Sequence, residues 1–270
     1  MNKEQQAIAR LRLAAEMSET YYHAPLVITT SGGKDSEVTM IKVAEAARKQ
    51  GVLQRVIAIH SATGAEWSCT EDIASKIAKL LNIPLYVVHP KWTIPDYIEH
   101  RLRFPDMRRR FCTSLKTSAI DKLLRKFFPA TVPSKILSVT GERREESSHR
   151  AKLSEFEPCT RLTVGQRQVF HYRPILDYEL GEVWETIRKS ELLHHPAYDM
   201  GNERLSCALC IFACNRDLWN GARDRPDLKE RYLRLEEQTG FTFRHKESLK
   251  QILAGEKEME PCPFQMKKQK

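Results

Sequence analysis

"VITTSGGKDSEV", residues 27 to 38, passes from a short apolar run through two glycines, a lysine, an aspartate and a serine into helix-forming residues. A strand that breaks this way and opens a helix turns several backbone N–H groups towards one small volume. The first N–H groups of a helix have no internal partner, and the helix dipole adds positive potential there, so the geometry favours an anion. Gly32 and Gly33 let the backbone approach a phosphate, Lys34 adds charge, Ser31 and Ser36 offer hydroxyls, and Asp35 suits a helix cap or a Mg2+ ligand. Spacing excludes the two commonest phosphate loops. Ile28 stands where a Walker A loop needs glycine and Asp35 where it needs Ser or Thr, and the Gly-x-Gly-x-x-Gly of a dinucleotide fold is missing. A plain strand-to-helix turn with a Ser or Asp cap is the alternative reading of these residues.

Outward from this turn, residues 25–30 read as a buried strand and 36–50 as the helix that follows it. Further short apolar strands at 55–60, 84–89 and 135–141 alternate with amphipathic helices at 71–82 and 113–128. That alternation predicts an α/β fold with a doubly wound, mostly parallel sheet covered on both faces. A surface helix is expected at 3–19. After Gly141 the stretch to Gln168 has mixed charge and little periodicity and reads as a long loop or lid, followed by a strand in "VFHYRPIL" and a helix in "ELGEVWETIRKS". The expected organisation is a nucleotide-binding domain over 1–190 and a C-terminal helical lobe carrying cysteines over 191–270.

With 41% hydrophobic and 29% charged residues, the chain has the composition of a globular protein, not a disordered one. It contains no apolar run of about 18 residues, and its first twenty residues lack the apolar core of a secretory signal, so a cytoplasmic protein without a membrane partner is expected. A formal charge of +9 suits nucleotides, nucleic acid or acidic partners. The seven cysteines are 69, 112, 159, 207, 210, 214 and 262; an odd number without an export signal speaks against a disulfide framework.

Further motifs follow in order. "SGGKDS" resembles the pyrophosphate loop of the adenine-nucleotide α-hydrolase (PP-loop ATP pyrophosphatase) superfamily. Thr63-Gly64-Ala65-Glu66 resembles the Asp-Thr-Gly-x-Glu segment of the phosphoadenosine phosphosulfate (PAPS) reductase family, with Ala62 in place of the Asp. Arg110, Cys112 and Lys116 fit its Arg-x-Cys-x3-Lys segment. Gly141, Arg143, Glu146, Ser147 and Arg150 fit its Gly-x-Arg-x2-Glu-Ser-x2-Arg. "RPILDYELGEVWETI" is similar to its Pro-Ile-x2-Trp-x3-Asp-Val-Trp, without the first Trp and with Glu182 for Asp. Together these cover about residues 25–215 and identify the chain as a member of that family. The resemblance implies nucleotide contacts from residues 31–36, Thr63, Gly64 and Glu66, and catalytic roles for Lys34, Asp35, Lys116, Arg143 and Arg150. Two arginines seven residues apart suit phosphate contact, although Glu142, Glu145 and Glu146 could equally pair with them inside a charged loop.

Cys207, Cys210 and Cys214 have a Cys-x2-Cys-x3-Cys spacing able to wrap a soft metal, with Cys112 as the leading fourth ligand. Iron-dependent sulfonucleotide reductases and the ATP-pyrophosphatase subunits of DNA phosphorothioation systems resemble this arrangement. The resemblance implies a [4Fe-4S] cluster; structural Zn2+ and buried free thiols are the alternatives. Cys69 and Cys159 are expected to be structural, and His194, His195 and Tyr198 to pack. The "EPCPF" around Cys262 departs from the Glu-Cys-Gly-x-His tail of thioredoxin-dependent reductases.

The expected function is sulfur transfer by an ATP pyrophosphatase using ATP and Mg2+, in which an acceptor is adenylated before thiolation. Nucleic acid is one acceptor that fits the five arginines of "RLRFPDMRRR" (101–110), although such a run also suits a solvated face. A cysteine desulfurase or another sulfur donor is the implied partner. The alternatives are PAPS or adenosine phosphosulfate (APS) reduction to sulfite, and a nucleotide-binding subunit without turnover.

Overall fold

The computed structural model describes residues 26–106, 108 and 110–255; the helix expected at 3–19 and Cys262 lie outside the described residues. Strands β1 (Leu26–Thr30), β2 (Val56–Ser61), β3 (Leu85–Val88), β4 (Ser134–Val139), β5 (Phe156–Pro158) and β6 (Arg167–Tyr172) form one sheet in the order β3-β2-β1-β4-β6-β5. β1 pairs in parallel with β2 and with β4, and β4 with β6, while β5 runs antiparallel to β6. The helices are α1 (Lys34–Lys49), α2 (Thr70–Leu80), α3 (Ile94–Arg101), α4 (Phe111–Phe127), α5 (Leu180–Ser190), α6 (Asn215–Asp224), α7 (Pro226–Thr239) and α8 (Leu249–Ala254). This is the doubly wound, mostly parallel α/β sheet that the alternation of apolar strands and helices predicts, and most expected elements lie within two residues of their observed ends.

Several elements were not expected. The loop after Gly141 contains two single 3-10 turns, Arg144–Glu146 and Arg150–Lys152, and the edge strand β5. α3 starts on the Thr93 hydroxyl, which accepts from the Asp96 N–H at 3.1 Å, with Pro95 in its first turn, where a missing N–H costs nothing.

The described chain divides into two compact units, and the division is not sequential. The first comprises residues 26–60, 71–88 and 120–194; the second comprises 61–70, 89–119 and 195–255. In the first, central strands read as nearly continuous apolar runs because both sheet faces are covered. Val27, Ile57, Ile59, Ile136 and Val169 pack with Ile120 and Leu124 of α4, and Val38 of α1 packs with Val183 and Ile187 of α5. In the second, Phe104 meets Tyr232 and Phe243 edge-on at 5.4 and 5.6 Å, inside a core completed by Trp67, Ile94, Ile98 and Ile252. Among the described residues no helix is long and apolar enough to cross a membrane.

Candidate functional site

The strand order reverses at β1, whose neighbours are β2 on one side and β4 on the other. Such a switch point leaves a crevice at the carboxyl ends of the strands, the usual ligand position in an open α/β sheet. The glycine turn occupies it. Gly32 has φ +77°, a left-handed conformation that a side chain would strain, and Gly33 is extended as the cap residue of α1. The turn is tied by hydroxyls: Thr30 Oγ1 accepts from the Gly32 N–H at 3.2 Å, and Ser36 Oγ donates to the Gly33 carbonyl at 2.8 Å and lies 3.4 Å from Ser31 Oγ. Gly33 receives no side-chain cap, so neither Ser nor Asp spends its oxygen there.

Asp35 organises the cations of this turn. Its Oδ2 lies 3.1 Å from Lys34 Nζ, and its Oδ1 accepts from Arg143 Nε at 2.7 Å. Both oxygens are therefore engaged by cations, one by Lys34 and one by Arg143. Lys34 is buried, as is Arg143, which also donates to Glu145 Oε2 at 2.5 Å and to the Tyr178 carbonyl. Burial opposes the charge of Arg143, but Asp35, Glu145 and Glu146 outweigh it and raise the guanidinium further. Arg150 pairs with Glu146 and lies 3.9 Å from Glu142. Both arginines thus meet the carboxylates of their own loop, and Arg173 joins them by donating to Glu142 at 2.6 Å.

Glu37, one turn into α1, is a group the sequence did not single out. Its carboxyl is 1% exposed, and neither oxygen has a hydrogen-bond partner among the described residues. Burial pushes its pKa up to about 8.

The other predicted residues gather in the second unit. Glu66 Oε2 accepts from the Thr63 N–H at 2.9 Å, and Glu66 Oε1 accepts from the Thr63 hydroxyl. The Gly64 and Glu66 carbonyls accept from Arg225, the latter at 2.5 Å. Lys116 Nζ stands 3.5 Å from Cys207 Sγ and 3.9 Å from Glu66 Oε1. The Ala208 N–H donates to the Ala65 carbonyl at 2.9 Å, joining the two segments. Cys207, then Glu66, hold the Lys116 ammonium above its ordinary range, and burial pushes the Cys207 thiol up to about 12 against the attraction of Lys116.

Cys112, Cys207 and Cys210 line one pocket with Ile98, Phe212, Tyr232 and Phe243, its volume about 30 Å3. Cys214 is the exposed cap residue of α6, beside Asp217. Three thiols have the soft donor chemistry of an iron–sulfur or zinc site. Cys214 is not among the residues lining that pocket, and among the described residues no group of three or more His, Cys, Asp or Glu stands as a formed metal site. Arg244, unforeseen in the sequence, secures the loop after Cys210 by donating to the Ile211 and Ala213 carbonyls and to Asn215 Oδ1 at 2.8 Å. His195 is fully buried: its Nδ1 accepts from the Ala197 N–H, which leaves Nε2 to carry the proton towards Thr70 Oγ1 at 3.1 Å and Cys69 Sγ at 3.5 Å.

Comparison with known proteins agrees with this architecture. Residues 25–213 match the family model described as the phosphoadenosine phosphosulfate reductase domain. A protein of Methanocaldococcus jannaschii is 27% identical over 241 residues, covering 88% of this chain and 54% of its own. The chain spans about half the length of the curated relatives it matches. The solved PAPS reductase of Candida auris shares the fold with a TM-score of 0.50 at 15% identity, over 77% of this chain and 88% of that one. FMN adenylyltransferase of Candida glabrata, in complex with FAD and inorganic pyrophosphate, gives a TM-score of 0.52 at 15% identity over 76% and 63%.

Proposed function

The chain belongs to the phosphoadenosine phosphosulfate reductase domain family, and from that premise we propose that it is an adenine-nucleotide-dependent enzyme of sulfur transfer. ATP would place its phosphates at the start of α1, where the helix dipole is positive, with Lys34 as the countercharge, Asp35 pairing with Lys34, and Arg143 fixing Asp35. An acceptor carbonyl oxygen attacks the α-phosphorus, the bond to the β-phosphate breaks, and pyrophosphate leaves. Sulfide then attacks the activated carbon, its S–C bond forming as the C–O bond breaks, and AMP departs with the former carbonyl oxygen. Mg2+, when bound with ATP, neutralises phosphate charge. A [4Fe-4S] cluster or Zn2+ would take thiolates from Cys112, Cys207 and Cys210, and no step above passes through it.

The observation that carries this reading is the gathering of three thiols beside Lys116, within a family domain that also holds a complete glycine turn. Lys116 lowers the cost of forming a thiolate at Cys207, and Glu66 keeps the lysine charged. The family match equally supports reduction of PAPS or APS to sulfite, which needs a reductant and no ATP cleavage.

Incubation with α-labelled ATP, Mg2+ and a sulfide donor separates these readings. Release of AMP and pyrophosphate supports sulfur transfer; sulfite from PAPS, with ATP left intact, supports reduction; tight binding without products indicates a silent subunit. Lys34→Met should lower pyrophosphate release by about two to three orders of magnitude, the scale of losing one preorganised electrostatic group. Unchanged release would remove Lys34 from the phosphate site.

A further inference from the structure

α3 and the segments flanking it carry several aromatic and cationic side chains in contact with one another. The Trp92 ring stacks on His100 at 4.8 Å, and Tyr97 lies 6.4 Å from His100 and 4.8 Å from Phe111. Arg101 sits 5.9 Å over the Tyr97 ring, and Arg110 sits 5.4 Å over Phe212. Phe212 is 39% exposed, as a large apolar ring at a ligand surface would be, and it also lines the thiol pocket. Phe111 precedes Cys112, so the series ends at that pocket.

The charge on this face is not neutralised. Asp96 and Glu99 are taken by Arg231 at 2.7 and 2.6 Å, and Asp106 is taken by Arg103 at 3.1 Å. Arg101, Arg108 and Arg110 are exposed and make no ion pair with a described residue. Aromatic faces interleaved with unpaired arginines fit successive unpaired bases and their phosphates, because every base has a face to stack and duplex DNA or RNA hides it.

We propose that this face of the second unit binds an unpaired stretch of polynucleotide, with bases on the aromatic series and phosphates on Arg101, Arg108 and Arg110. A base at the end of the series lies at the pocket of Cys112, Cys207 and Cys210, which makes a nucleobase carbonyl the acceptor; that last assignment rests on the sulfur-transfer reading above.

Fluorescence anisotropy of the full chain with short labelled oligonucleotides tests this, using an unstructured RNA, a DNA of the same sequence and the corresponding duplex. Either single strand should bind more tightly than the duplex, and preference between RNA and DNA identifies the sugar. Binding should weaken with salt by a slope of about 0.7 per phosphate contacted. Phe212→Ala should weaken single-strand binding about tenfold, the scale of one lost base stack, and Arg101→Glu with Arg110→Glu should weaken it further and flatten the salt slope. The exposed arginine variants keep the test valid if Phe212→Ala fails to fold. Equal or tighter duplex binding, or variants that bind as the parent does, would overturn the proposal. ATP binding is measured on the same samples: ATP bound without any oligonucleotide sinks this inference alone, whereas oligonucleotide bound without ATP upholds the surface and sinks the sulfur-transfer reading.

Discussion

Gly221→Ala is expected to collapse the arrangement of thiols in the second unit. A Cβ at position 221 would stand 1.9 Å from the Ala208 carbonyl oxygen and 2.6 Å from its carbon. The obstacle is backbone, with no flexible side-chain end to swing away, so either α6 or the segment 207–210 must move by more than an ångström. Overpacking a tight interior costs roughly 1–3 kcal/mol, and a clash with backbone belongs at or above the upper end. The Ala208 N–H is bonded to the Ala65 carbonyl, so displacement would spread to Glu66 and from there to Lys116. Thermal unfolding should show a midpoint lower by about 6–12 °C, at roughly 2–4 °C per kcal/mol for a chain of this size. Thiol labelling of Cys207 and Cys210 should quicken in the folded protein. A midpoint and labelling rate equal to the parent's would mean that α6 does not press on Ala208.

The second large effect concerns Glu37. Its native pKa of about 8 lies above the ordinary value of 4.5, so the folded chain holds a proton that the unfolded chain releases. The protonated form's stability is fully present below about pH 4.5 and is lost as pH rises through about 8. Glu37→Gln mimics the protonated acid and removes that loss. It should leave stability nearly unchanged at pH 4.5 and raise it by about 2–4 kcal/mol at pH 8, on a scale of about 1.4 kcal/mol per unit of displaced pKa. Chemical denaturation across this range reads the difference directly. A variant whose advantage does not grow with pH would show that the carboxylate is already satisfied.

The sheet was legible because each buried parallel strand is a short apolar run closed by a turn signal, as in residues 26–30 and 56–61. The glycine turn was legible because its chemistry is local: Gly32, Gly33, Lys34 and Ser36 are neighbours in sequence as well as in space. α3 was not read, because Pro95 resembles a breaker and the arginines after it dominate the composition. Its signal was present in the Thr93 cap and in Ile94 and Ile98, four residues apart on the buried face. The second unit could not be read at all as a unit, since three separate stretches build it and no local pattern records that Ala65 meets Ala208. Spacing also grouped Cys214 with Cys207 and Cys210; in the structure Cys214 is the exposed cap residue of α6 and is not among the residues that line their pocket. A single glutamate within a helix reads as solvated, so Glu37 gave no sign of its burial. The pairing of Arg143 and Arg150 with Glu142, Glu145 and Glu146 was visible as an alternative, and only geometry shows how fully those carboxylates occupy them.

β5 bears on a different property, the behaviour of the chain in a crowded solution. An edge strand exposes a row of backbone donors and acceptors to which another molecule can add a strand of its own. β5 is three residues long, ends on Pro158, which has no N–H to offer, and lies beside Arg173 paired with Glu157 at 2.9 Å. Phe156, stacked on Phe170 at 5.1 Å, anchors this short strand over β6. A sheet finished by so brief and charged a border gives a neighbouring copy little to grip, and this side of the molecule is thereby protected against fibrous self-association while the chain is concentrated or newly made.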